Sequence, residues 1–122
     1  NTLYGFIGTK YYPEIKNGDI LLIEDTGKDA STVEKNLAML KLHGIFDKVS
    51  AILLGKHEWY DDLGTGKTSL DLLLEQLDGR EIPILADIDC AHTHPMFPLA
   101  IGKEIEVDTI NKTITCVEAW VD

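Results

Sequence analysis

The chain has 122 residues, 44% hydrophobic and 26% charged, with a formal net charge of −10. This is the make-up of one globular domain, and the acidic excess opposes nucleic-acid binding, which relies on Lys and Arg displacing counterions from phosphates. No stretch approaches the roughly 20 uninterrupted apolar residues of a membrane span, so neither nucleic acid nor membrane is an expected partner.

The chain opens on Asn1-Thr2-Leu3-Tyr4 rather than Met, which reads as a cut inside a longer protein. Gly18-Asp19 then introduces Ile20-Leu21-Leu22-Ile23, a continuous apolar run suited to a strand buried on both faces. It ends in Glu24-Asp25. Ser31-x-x-Glu34 offers a capping box, Val33, Leu37 and Leu40 recur at helical spacing, and Gly44 supplies a stop. The pattern repeats. Val49 to Gly55 reads as a second buried strand, and Thr68-x-x-Asp71 starts a second helix. That helix has Leu70, Leu73, Leu74 and Leu77 as its expected apolar face and Gly79 as its end. Pro83 to Ala86 is a third short strand, leading into a loop from Asp87 to Pro98.

Alternating strands and helices predict parallel strands joined by right-handed crossovers. The tail differs: residues 104–108 and 113–117 alternate in polarity and are separated by a short connection, which predicts an antiparallel hairpin. The expected class is therefore α/β, with a parallel layer, an antiparallel layer and helices.

Ligand groups in open α/β sheets gather beyond the carboxyl ends of the strands. Here those ends carry Glu24-Asp25, His57-Glu58 and the segment from Asp87 to His94. Glu24, Glu58 and His92 are evenly separated along the chain, and parallel strands would bring them to one edge. A carboxylate beside a histidine can fix the imidazole tautomer and stabilise the imidazolium formed during proton abstraction. Glu24 and His92 could serve so. A nucleophile is missing: the serines are Ser31, Ser50 and Ser69, two suited to helix starts and one inside a predicted strand, and none sits in a G-x-S-x-G elbow.

Blander readings stand beside these, since a Glu-Asp pair at a strand end is commonly a solvated loop start and a loop histidine is commonly structural. Cys90-Ala91-His92-Thr93-His94 hints at zinc but lacks a spaced second ligand pair, so no metal and no other cofactor is expected. Gly64-Thr65-Gly66-Lys67-Thr68-Ser69 suggests a phosphate loop, yet the glycine that pattern requires is replaced by Asp61. Trp59 and Tyr60 suit either ligand stacking or packing. Cys90 and Cys116 fit free thiols in a reducing cytoplasm, the expected location.

Four blocks carry a resemblance: Gly18 to Asp25; Asn36-Leu37-x-x-Leu40-x-x-x-Gly44-Ile45-Phe46; Gly55-Lys56-His57-Glu58; and Asp89 to Pro95. In this order the chain resembles the serine-peptidase family of LD-carboxypeptidases and microcin C self-immunity proteins, and it is closer to the microcin branch. The resemblance implies a swivelling β/β/α fold and a single C-terminal domain spanning residues 1–122. It assigns Glu24 and His92 to a Ser-Glu-His triad whose serine lies in a missing N-terminal domain. It also implies that Asn1, Lys28 and Glu58 line a substrate site. Ala91 stands where the family commonly has glycine.

The expected activity of the whole protein is hydrolysis of the amide bond of microcin C-like peptidyl or aminoacyl nucleotides, giving self-immunity, with this fragment inactive alone. The alternatives are an LD-carboxypeptidase acting on muropeptides and a non-catalytic module binding a peptide or aminoacyl ligand. The expected partners are the small substrate and the missing domain. Apolar surface left by the lost domain contact would also favour a homodimer.

Overall fold

A computed structural model describes residues 3–121. Strands β1 (Ile20–Ile23), β2 (Ala51–Gly55) and β3 (Ile84–Ile88) form a parallel sheet with β2 in the middle. Helix α1 (Ala30–Leu42) connects β1 to β2, and α2 (Ser69–Leu77) connects β2 to β3. Strands β4 (Ile105–Asp108) and β5 (Thr113–Cys116) pair antiparallel as a separate hairpin.

The period of two along the strands sorts side chains into two layers. Leu21, Ile23, Ile52 and Leu54 join Val33, Leu37 and Leu40 of α1 and Leu72, Leu73 and Leu77 of α2 in the larger core. Ile20, Leu22, Leu53 and Leu85 point the other way and meet Ile105, Val107 and Ile114 of the hairpin. Helices, parallel sheet and hairpin therefore stack as three layers. All five residues of β2 are buried, which explains its lack of any polar alternation.

β3 carries a bulge. Leu53 pairs with Leu85 and Gly55 with Ile88, so β3 spends one residue more than β2 over the same span. Asp87 takes up the excess in the left-handed region, φ 58°. The insertion keeps Ile88 on the hairpin side, where it is buried with Leu53 and Cys90. It also extends the strand two residues beyond the expected Pro83–Ala86 segment.

Two other expectations are corrected. Asp29, not Ser31, caps α1: its carboxylate accepts from Thr32 N at 2.8 Å, and Ser31 Oγ donates to the same oxygen at 2.8 Å. A carboxylate matches serine as an N-cap acceptor and adds a favourable interaction of its charge with the helix macrodipole, and the helix begins before Ser31. In α2 the buried residues are Leu72, Leu73 and Leu77, while Leu74 is half exposed. Leucines at five of nine positions leave the phase of the apolar stripe undetermined until the sheet selects it. The start of α2 is as expected, with reciprocal bonds between Thr68 and Asp71 forming a capping box.

Candidate active site

Glu24 follows the last residue of β1 and has the parity of Leu22, which faces the hairpin; Asp25 has the parity of Ile23, which faces the helices. The pair therefore splits. Glu24 runs beside Gly55 and Cys90, whereas Asp25 lines a small cavity with Tyr4, Asn36 and His57 beneath α1.

His92 arrives from β3. Beyond the bulge, the Ile88 carbonyl accepts from both Lys56 N and Cys90 N at 3.0 Å. Ala91 then turns the chain in the left-handed region, φ 73°. Phe97 N donates to Asp89 O at 3.1 Å, closing the loop. Lys56 Nζ ties that loop to the end of β2 through a 2.7 Å bond to Asp89 Oδ1. The Asp89 bond, with the acidic groups around it, raises the pKa of Lys56.

Glu24 Oε1 and His92 Nδ1 lie 2.7 Å apart. The Glu24 side chain is 11% exposed and that of His92 54%. An ionised carboxylate can only accept, so in the neutral imidazole paired with it Nδ1 carries the proton and Nε2 presents its lone pair. His92 Nε2 makes no hydrogen bond among the described residues. The arrangement can accept a proton at Nε2 and stabilise the resulting cation through Glu24.

No nucleophile accompanies the pair among the described residues. The Ser31 and Ser50 hydroxyls donate to Asp29 and to the Gly18 carbonyl, and Ser69 opens α2. Ser50 lies just before β2 rather than inside it. Cys90 is buried, and its thiol pKa is raised by burial and by the negative charges of Glu24 and Asp89, the reverse of what an activated thiolate needs.

Backbone bonds draw the other expected residues to the same edge. Gly27 N and Thr26 Oγ1 donate to the Glu58 carbonyl at 2.8 and 3.1 Å. Asp61 N donates to the Lys28 carbonyl at 3.1 Å, and Ala30 N to that of Asp61 at 2.8 Å. The loops after β1 and β2 thus continue the parallel pairing beyond the sheet, placing Lys28 and Glu58, both half-buried, in adjoining loops. Asn1 lies outside the described residues. Glu58 also lines an open groove of about 670 Å³ with Trp59, Lys67 and Asp87.

Gly64-Thr65-Gly66 already encloses an anion of its own: Asp62 accepts from Gly64 N and Gly66 N, both at 2.9 Å. Those N–H groups are consumed within the loop, the physical reason it is no phosphate cradle. Among the described residues no three His, Cys, Asp or Glu side chains are grouped to hold a metal ion, and no helix is long and apolar enough to cross a membrane.

Sequence reading missed the polar cavity under α1. Burial lowers the pKa of His57, whose Nδ1 lies 3.1 Å from the Gly55 carbonyl; burial, with Asp25 next in weight, raises that of Tyr4. Strand parity at Glu24-Asp25 is the signal that could have revealed it.

Residues 1–107 match the model of the LD-carboxypeptidase C-terminal domain. The microcin C7 self-immunity protein MccF of Escherichia coli is 49% identical over 121 residues, covering 99% of this chain and 35% of that protein. A solved structure of MccF in complex with aspartyl sulfamoyl adenosine superposes with a TM-score of 0.96 at 49% identity, over 100% of this chain and 36% of the other. A muramoyltetrapeptide carboxypeptidase from Oxalobacter formigenes gives a TM-score of 0.65 at 28% identity, over 78% of this chain and 34% of the other. The chain thus spans about a third of the length of the relatives it matches.

Proposed function

The chain belongs to the LD-carboxypeptidase C-terminal domain family, and we propose that it is the acid–histidine domain of a serine peptidase whose nucleophile lies in a separate N-terminal domain. The 2.7 Å bond from His92 Nδ1 to Glu24 carries this reading. With Nδ1–H held by Glu24, Nε2 takes the proton of the serine hydroxyl as it attacks the scissile carbonyl and returns it to the departing amine. Glu24 keeps its negative charge and stabilises the imidazolium between those steps.

The substrate we assign is a peptidyl or aminoacyl nucleotide, cleaved at its amide bond so as to give immunity to a microcin C-type compound. Support comes from MccF, solved with aspartyl sulfamoyl adenosine and with glutamyl sulfamoyl guanosine. In this reading Lys28 pairs with a substrate carboxylate, Glu58 accepts from its α-amino group, and Asn1 adds a polar contact. Such anchors orient the carbonyl for attack. A muropeptide substrate is the second reading, favoured by the muramoyltetrapeptide carboxypeptidase likeness; its 28% identity against 49% for MccF ranks it lower.

The test is turnover by the longer protein containing this chain, on an aminoacyl sulfamoyl adenylate and on an LD-tetrapeptide. His92→Ala is expected to lower kcat by about 10⁴-fold and Glu24→Ala by a similar order. Lys28→Ala and Glu58→Ala are expected to lower kcat/KM by about 10- to 100-fold, the worth of one charged hydrogen bond. Serine-dependent turnover by the 122-residue chain alone, or full activity without His92, overturns the assignment.

A further inference from the structure

Glu24 and His92 extend from the two outer strands, so the bond between them must pass over the end of β2. Gly55 is the last residue of β2 and is buried. A Cβ built on it would lie 2.9 Å from Glu24 Cγ, 3.0 Å from Glu24 Cβ and 3.1 Å from Cys90 Sγ. Real Cβ atoms essentially never approach to 2.9 Å, the other two distances are tighter than nine in ten real Cβ contacts, and the two nearest atoms are the stem of Glu24 itself rather than a free side-chain tip.

Seven other glycines contrast with it. Gly8, Gly18, Gly27, Gly64, Gly66, Gly79 and Gly102 all have positive φ and open space where a Cβ would go. Their requirement is conformational. Gly55 is not in the positive-φ region, so its backbone would accept any L residue. What it supplies is room.

We propose that Gly55 is a positioning residue for the catalytic pair: the space over its Cα is the slot through which the Glu24 side chain crosses β2 to meet His92. A methyl group there displaces the Glu24 stem, whose Cγ and Cβ are the atoms nearest to it. The carboxylate then loses Nδ1, and the imidazole relaxes to the Nε2–H tautomer that free histidine favours in water. In that form Nε2 carries a proton and cannot accept one. The effect requires no change in a catalytic side chain. This inference rests on the acid–histidine reading above, and the experiment separates the two.

The measurement is the His92 tautomer ratio, from long-range ¹H–¹⁵N NMR correlations of the ring, in the chain and in the longer protein. In the wild type the Nδ1–H form is expected to dominate. Gly55→Ala is expected to move the ratio about tenfold toward Nε2–H, the equivalent of one charged hydrogen bond, and to lower kcat while KM stays nearly constant. If Gly55→Ala does not fold, Gly55→Ala with Glu24→Gly, which removes both nearest atoms, is expected to restore cooperative unfolding. Gly55→Ala with Cys90→Ala should leave the tautomer displaced, because the Glu24 stem is the nearer obstacle. An unchanged tautomer in folded Gly55→Ala overturns the slot alone. So does a double variant with Glu24→Gly no more stable than Gly55→Ala. An Nε2–H tautomer already in the wild type overturns the pair, and the slot with it.

Discussion

The two faces of the parallel sheet are covered by layers of very different depth. On the helix side fourteen buried residues from strands, helices and their connections form one cluster; on the hairpin side the buried set is Leu53, Ile88 and Cys90. The strands themselves are equally short, four or five residues each. Two helices can each lay a broad apolar stripe on the sheet, whereas the hairpin offers alternate residues only, and Glu106, Thr113 and Thr115 face solvent. Folding stability therefore concentrates on the helix side. Glu24, Gly55 and Cys90 stand on the thin side, where few contacts must be rebuilt if a side chain moves.

Truncation breaks the comparison most severely if it is wrong. Leu40→Ala and Leu73→Ala, both at fully buried positions, are expected to cost about 2–5 kcal/mol in urea unfolding. Ile114→Ala in the hairpin is expected to cost about 1 kcal/mol, and Ile110→Ala, at an 89% exposed position, within about 0.5 kcal/mol of zero. Equal costs on the two sides would remove the asymmetry.

Acidification probes the helix side next. The unfolded chain protonates His57 near the ordinary value of 6.5, while burial holds the folded value lower. The unfolded state then binds more protons, so stability is complete above about 6.5 and declines as the pH falls through the folded pKa. His57→Gln is expected to flatten that part of a Tm-against-pH curve. Asp29, Asp71 and Asp108, held below their ordinary 3.8 chiefly by hydrogen bonds, lose their contribution at lower pH. A Tm unchanged between pH 7 and 5 would place no protonation penalty on His57.

The smallest expected effect is at the turn before His92. Ala91 has φ 73°, a conformation costing an L residue roughly 1–2 kcal/mol; Ala91→Gly relieves this but adds unfolded-state entropy. The net expectation is a gain of about 0–1 kcal/mol, read as a slight rise in Tm. A loss of stability would mean that the Ala91 methyl makes a packing contribution larger than its strain.

The parallel units, the hairpin and the Glu24–His92 juxtaposition were legible because each follows from local pattern: apolar runs, alternation, and the rule that parallel strands end at one edge. The β3 bulge was not, since nothing local in Leu85-Ala86-Asp87-Ile88 fixes its register against β2. The stripe of α2 was hidden by surplus leucine, and the start of α1 by competition between Asp29 and Ser31. Gly55 stands in the sequence only as a strand end and the first residue of one resembling block; its importance depends on the spacing between three strands, which the order of residues does not encode.

The reach from Glu24 to His92 makes the end of the sheet act as a clasp: two outer strands are fastened across a middle one by a single bond. Fraying at that edge and misalignment of the imidazole then become one event rather than two. Amide hydrogen exchange at Lys56 and Cys90, whose N–H groups share the Ile88 carbonyl just inside the clasp, would register each opening. An agent that slows their exchange without touching the imidazole would also lengthen the time the pair spends aligned.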